Sequence, residues 1–220
     1  MTRTLTRRIR APHADTIGRV VRIVVLVIAA FATLGLTVEA ITTMTGRTLF
    51  AFGGADPRLP LTYLRVVNQA ELSDGVTGTL AEADLLWRLL NGLPLLAQAA
   101  TIALAAWLLR GVLLEVARRR PFGRAALVGW RRLTVTLVAG SLGAGGVSTI
   151  GFGYLYVNVL GPTFPRPEQR AVFLGGDYAS LSFGFPDWPI PLIVAGLIAA
   201  ALTSAFRAGA RLERDVDGVI

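Results

Sequence analysis

Long apolar runs alternate with polar stretches along this chain. Four of the runs are long enough for membrane-crossing helices, at about 18–42, 85–116, 133–159 and 188–207. Trp188 to Phe206 holds 19 uncharged residues. At about 1.5 Å per helical residue, that nearly crosses a hydrocarbon core of about 30 Å. Arg88 and Arg110 bracket 21 uncharged residues in the second run. The first run follows a basic N-terminal stretch, as a signal peptide would. It continues from Ile23 to about Met44 with no small-residue cleavage site, so it is read as an uncleaved helix. The pattern predicts one all-α membrane module over 1–220, a four-transmembrane-helix bundle with a small extracytoplasmic cap of short β-strands.

The polar stretches between the runs supply that cap. Residues 43–84 carry turn pairs at Gly53-Gly54, Asp56-Pro57 and Asp74-Gly75. Between the turns, Leu61–Val67 and Val76–Leu80 have β character. In 160–187, Ala171–Leu174 and Ala179–Phe183 are read as short strands around Gly175-Gly176-Asp177. Strands from the two loops are expected to pair, which would satisfy backbone groups above the membrane. Residues 117–132 form a basic hinge, with Pro121 ending a helix and Gly123 permitting a turn. Residues 208–220 are a charged tail that continues the last helix.

Composition sharpens the membrane reading. Only 16% of residues are charged, against roughly 25% in a soluble domain. Formal net charge is +8, and all 22 basic residues are arginine. Sixteen of the 22 fall beside the inner ends of the runs if both termini are cytoplasmic. The positive-inside bias therefore selects four spans in a plasma membrane with N- and C-termini inside. Arginines placed this way serve topology and anionic lipid headgroups, so no direct nucleic-acid partner is expected.

Polar and small residues within the runs are the next candidates. Glu39, near the outer end of the first span, is either a functional group at membrane depth or a headgroup-level charge, and the second is expected. Pro94 removes a backbone donor and should kink the second span. Asn91 and Gln98 are seven apart, hence on roughly one face. They are expected to hydrogen-bond a neighbouring helix, with a polar path lining as the alternative. The third span is rich in small residues, with Gly140, Gly143 and Gly145 as candidate packing positions. Close backbone approach at the centre of the bundle is expected, and a broken helix lining a cavity is the alternative.

Catalytic sets are missing from the sequence. There is no cysteine, and the single histidine, His13, sits in the N-terminal tail. No phosphate-binding loop with its lysine, no zinc-protease motif and no pair of intramembrane carboxylates is present. Ser141 and Ser148 have no histidine to activate them. No enzyme activity, cofactor or metal site is expected.

Two motifs carry a resemblance. One is the hinge Arg118-Arg119-Arg120-Pro121-Phe122-Gly123-Arg124 followed by Gly129-Trp130-Arg131-Arg132-Leu133. The other is the ending Phe206-Arg207-x-Gly209-x-x-Leu212-x-x-Asp215. Together they resemble the DUF2975 family of bacterial integral membrane proteins, with Arg120 standing where a glycine is common. The resemblance implies a four-helix membrane module of uncharacterised function that accompanies a small cytoplasmic helix-turn-helix regulator. Candidate partner- or lipid-docking residues are Arg118, Arg119, Arg120, Pro121, Phe122, Arg124, Phe206, Arg207, Arg211 and Asp215. Asp215 or Glu213 of the tail either meets Arg118, Arg119, Arg120 or Arg124 of the hinge or stays a solvated charge worth about 0–1 kcal/mol, and the second is expected, with the site kept as a docking surface. The resulting expectation is a non-enzymatic sensing, regulatory or anchoring module with a cytoplasmic partner. The alternative is a small transporter or channel subunit, which with four spans would act as a homo-oligomer.

Overall fold

The structure is a computed structural model that describes residues 12–50, 56–118, 123–161 and 166–217. Helix α1 runs Pro12–Thr45, α2 Leu85–Ala117 and α3 Arg124–Leu155. A single π-helical turn, Tyr156–Leu160, extends α3. A short helix α4, Pro167–Leu174, and a long helix α5, Ile190–Asp217, complete the helical part. Strands β1, Val67–Leu72, and β2, Tyr178–Phe183, form a two-stranded sheet. Four of the helices are long and apolar enough to cross a membrane: Gly18–Thr45, Leu85–Ala117, Arg124–Leu160 and Ile190–Arg211.

Side-chain chemistry sets where these helices begin and end. The Asp84 carboxylate accepts from the Trp87 backbone N–H at 2.9 Å and caps α2. α2 then continues through Pro94, whose missing N–H leaves nothing to donate to the Leu90 carbonyl. Gly151 of α3 lies against that point, with Leu90 O 3.3 Å from where a Cβ would sit. At the end of α1, Gly46 takes a φ of +68° and donates its N–H back to the Thr42 carbonyl at 2.8 Å. A residue without Cβ adopts this left-handed turn at little cost.

In the bundle, α1 packs on α2, α2 on α3, and α3 on α5, so α3 has a long apolar helix on each side. At Gly140, a Cβ would overlap the Thr101 side chain of α2. At Gly145 it would come within 2.5 Å of the Trp188 ring, just before α5. Gly143 differs from the expectation. Nothing lies within 4 Å of its Cβ position, and the close approaches further along fall at Gly151 and at Gly196 of α5. α3 runs unbroken through its glycines, so the alternative of a broken helix there is corrected.

The cap is joined to the helix ends. Its buried core contains Leu61, Leu64, Leu80 and Leu174 from the loops, together with Trp87 of α2 and Leu155 of α3. Trp87 is fully buried and packs on Phe173 with ring centroids 5.2 Å apart. β1 and β2 pair antiparallel from Val67↔Phe183 to Leu72↔Tyr178, joining the two outer loops.

Three of the four expected strand positions change. Leu61–Tyr63 closes a 3₁₀ turn after Pro60 and buries Leu61 and Leu64, a spacing of three rather than two. The first-loop strand therefore begins at Val67. Ala171–Leu174 is the last part of α4, which starts with Pro167 and stops at Gly175 in the left-handed conformation. Val76–Leu80 is not a strand, although Thr79 N donates to Gly175 O and Leu80 N to Leu59 O. The expected hinge also shortens. Helix α3 already begins at Arg124, so most of the basic stretch through Arg132 is helical. The Gly53-Gly54 turn, Pro162, Pro165 and the tail from Gly218 lie outside the described residues.

Candidate functional site

Polar side chains gather at both ends of the bundle. At the cap end, Arg65 sits between the 3₁₀ turn and β1. Its Nε donates to Glu39 Oε1 at 2.7 Å and its Nη2 to Glu39 Oε2 at 2.8 Å, while Nη1 donates to Asp187 Oδ2 at 2.8 Å. One guanidinium thus ties α1, the first loop and the approach to α5, in the fork geometry that suits two carboxylates. The hydrogen bond to Glu39 pushes the Arg65 pKa up, against partial desolvation, so it stays charged. Burial, followed by the Glu39 charge, raises the pKa of the neighbouring Tyr63. Glu39 is therefore ion-paired, with a partner that the sequence reading did not supply. The sequence signal was its isolation: it is the only charge between Arg22 and Arg47.

A small cavity of about 30 Å³ lies beneath this triad. Glu39 and Arg65 line it, and so do Asn91, Gln98 and Ser148 from α2 and α3. Asn91 Nδ2 donates to the Trp87 carbonyl at 2.8 Å, within its own helix. Gln98 is 7% exposed, and its amide has no hydrogen-bond partner among the described residues. The expected helix-to-helix bonds are therefore not made, and both amides face the cavity instead. That space suits water, not a small-molecule ligand, whose sites run to roughly 300–1,000 Å³.

The end opposite the cap is organised by aromatic and hydroxyl contacts between α3 and α5. Trp130 stacks on Phe206 with centroids 5.5 Å apart and planes 19° from parallel. Thr134 and Thr203 share a hydrogen bond at 3.2 Å. Arg207 and Arg211 are exposed on α5. Arg118 Nη1 pairs with Glu115 Oε1 at 3.0 Å on its own helix, and the side chains of the tail acids Glu213 and Asp215 lie outside the described residues. Arg119, Arg120, Pro121 and Phe122 lie outside the described residues, and Asp215 lies within α5 with its side chain outside them. Arg124 opens α3 and faces a groove on the α2/α3 surface together with Arg110 and Arg132.

No family model, curated protein or solved structure matches this chain.

A further feature was not legible in the sequence. A nearly wholly apolar groove of about 560 Å³ separates α1 from α5, with Ile28 and Ala32 on one wall, Leu192 and Ile198 on the other, and Ala105 and Leu137 on the floor. Apolar residues on all four helices look alike in sequence, so only packing reveals which pair is left apart.

Proposed function

We propose that this protein is a non-enzymatic, four-span module of a bacterial plasma membrane, with both termini cytoplasmic. It senses or anchors at its outer cap and presents its inner face to a cytoplasmic partner. One contrast carries the reading. The outer ends are tied by Arg65 to Glu39 and Asp187, while along the bundle α1 and α5 stand apart across an apolar groove. A bundle held at one end and open along its length can change spacing at the other. The arginines at the inner ends of α2, α3 and α5 suit an acidic partner surface, and the DUF2975 resemblance suggests a small helix-turn-helix regulator.

Native mass spectrometry of protein extracted from its own host in mild detergent tests this. A stoichiometric second protein, lost with Arg118→Ala/Arg119→Ala/Arg120→Ala while insertion is retained, is the expected result. A partner that binds the triple variant unchanged would sink the docking role. The second reading is an oligomeric small transporter, favoured by Asn91, Gln98 and Ser148 around the outer cavity. It predicts flux of ions or small solutes in liposomes that Gln98→Leu reduces. Flux equal to that of empty vesicles removes it.

A further inference from the structure

Two grooves adjoin on the inner half of the α2/α3 surface. The first, of about 720 Å³, has Arg110 and Glu115 of α2 and Arg124 and Arg132 of α3 around an apolar floor. The second, of about 520 Å³, shares Trp107, Leu108, Val128 and Arg132 with the first and adds Arg131. Arg110, Arg124, Arg131 and Arg132 are all exposed, and none has a carboxylate partner among the described residues. Glu115 is already paired with Arg118. The double groove therefore carries positive charge that nothing among the described residues neutralises.

Depth decides what this charge faces. Arg110 is seven residues before the end of α2, and Arg132 eight after the start of α3. Both lie about 10–12 Å in from the helix ends. Beyond them, Leu89–Leu109 of α2 and Leu133–Gly161 are free of charge. Arg110 and Arg132 thus mark the edge of the apolar band, and Trp107, 64% exposed, lies about one turn deeper. An arginine fork holds a phosphate by paired, charge-assisted hydrogen bonds. An exposed tryptophan at that depth suits the boundary between headgroups and chains. An acidic protein surface would answer the arginines but not the apolar floor beneath them.

We propose that this double groove seats an anionic phospholipid. Its phosphate is held by Arg110 and Arg132, and an acyl chain lies along Trp107, Leu108 and Val128. This rests on the membrane-module reading and names a ligand for it.

The full chain in mild detergent is titrated with phosphatidylglycerol or phosphatidylcholine and read by native mass spectrometry. Phosphatidylglycerol is expected to be retained about tenfold better, a preference that Arg110→Gln/Arg132→Gln brings to parity. The outer pair Arg47→Gln/Arg166→Gln should leave it unchanged. If the inner double variant does not fold, the unmodified chain is placed in vesicles with either lipid brominated on its acyl chains. Brominated phosphatidylglycerol should quench tryptophan emission more strongly, and the excess should vanish in Trp107→Phe. Equal retention, or equal quenching, by the two headgroups overturns the lipid seat alone. A chain that fails to enter vesicles of either composition overturns the membrane reading as well.

Discussion

Single residues at this bundle's contacts differ sharply in what they tolerate. Gly140→Val would drive a side chain into Thr101, and overpacking of this kind costs about 1–3 kcal/mol. Gly143→Val meets open space and should shift stability by about 0.5 kcal/mol or less. Thermal unfolding of the two variants in one detergent checks the contrast, and equal losses would contradict it. Gly140 and Gly143 belong to the same small-residue run, so sequence alone could not separate them. Which glycine touches a neighbour depends on the rotation of α3, which its packing partners set. Glu39 teaches the same point: its isolation was legible, but Arg65 and Asp187 lie 26 and 148 positions further along the chain. Arg65→Gln removes two partly exposed pairs worth about 0–1 kcal/mol each. Its global effect should be small, while amide exchange in Tyr63–Leu72 should rise clearly. Unchanged exchange there would remove the triad's role in tying down the loop.

Long elements were legible because many residues agree on them. About 20 consecutive apolar residues cannot be hidden by one misread position, and the positions of the four long apolar helices follow from that run length. The cap was less legible because short segments depend on one or two decisive residues. Pro167 and Gly175 turn Ala171–Leu174 into helix despite its β-like composition, and Pro60 does the same for Leu61–Tyr63. The pairing of β1 with β2 is itself testable. The chain has no cysteine, so an introduced pair reads without background. Ala70 and Leu181 are register partners, and Ala70→Cys/Leu181→Cys should cross-link readily. Ala70→Cys/Ser182→Cys, one residue out of register, should cross-link less. At the helix end of the same core, Trp87→Ala should cost about 3–5 kcal/mol, measured by chemical unfolding in detergent. A loss under 1 kcal/mol would mean that the cap is not packed on α2 in this way.

At the scale of the whole molecule, the proposed topology places Arg166 and Glu168 outside and Arg211 inside. In intact cells, a membrane-impermeant maleimide should label Glu168→Cys and spare Arg211→Cys until the membrane is opened. The reverse pattern would invert the bundle. One consequence of the cap concerns the order in which the protein is made. β1 leaves the ribosome about a hundred residues before β2, and α2 and α3 lie between them. At roughly 5–20 residues per second, the first strand waits about 5–20 s for its partner. During that interval its edge is open, Trp87 has no Phe173 to rest on, and Arg65 can reach Glu39 but not Asp187. The cap is thus completed only when nearly the whole chain has been made. A ribosome stalled in the second half of the message leaves an exposed strand and an unfilled aromatic pocket as a mark of incompleteness.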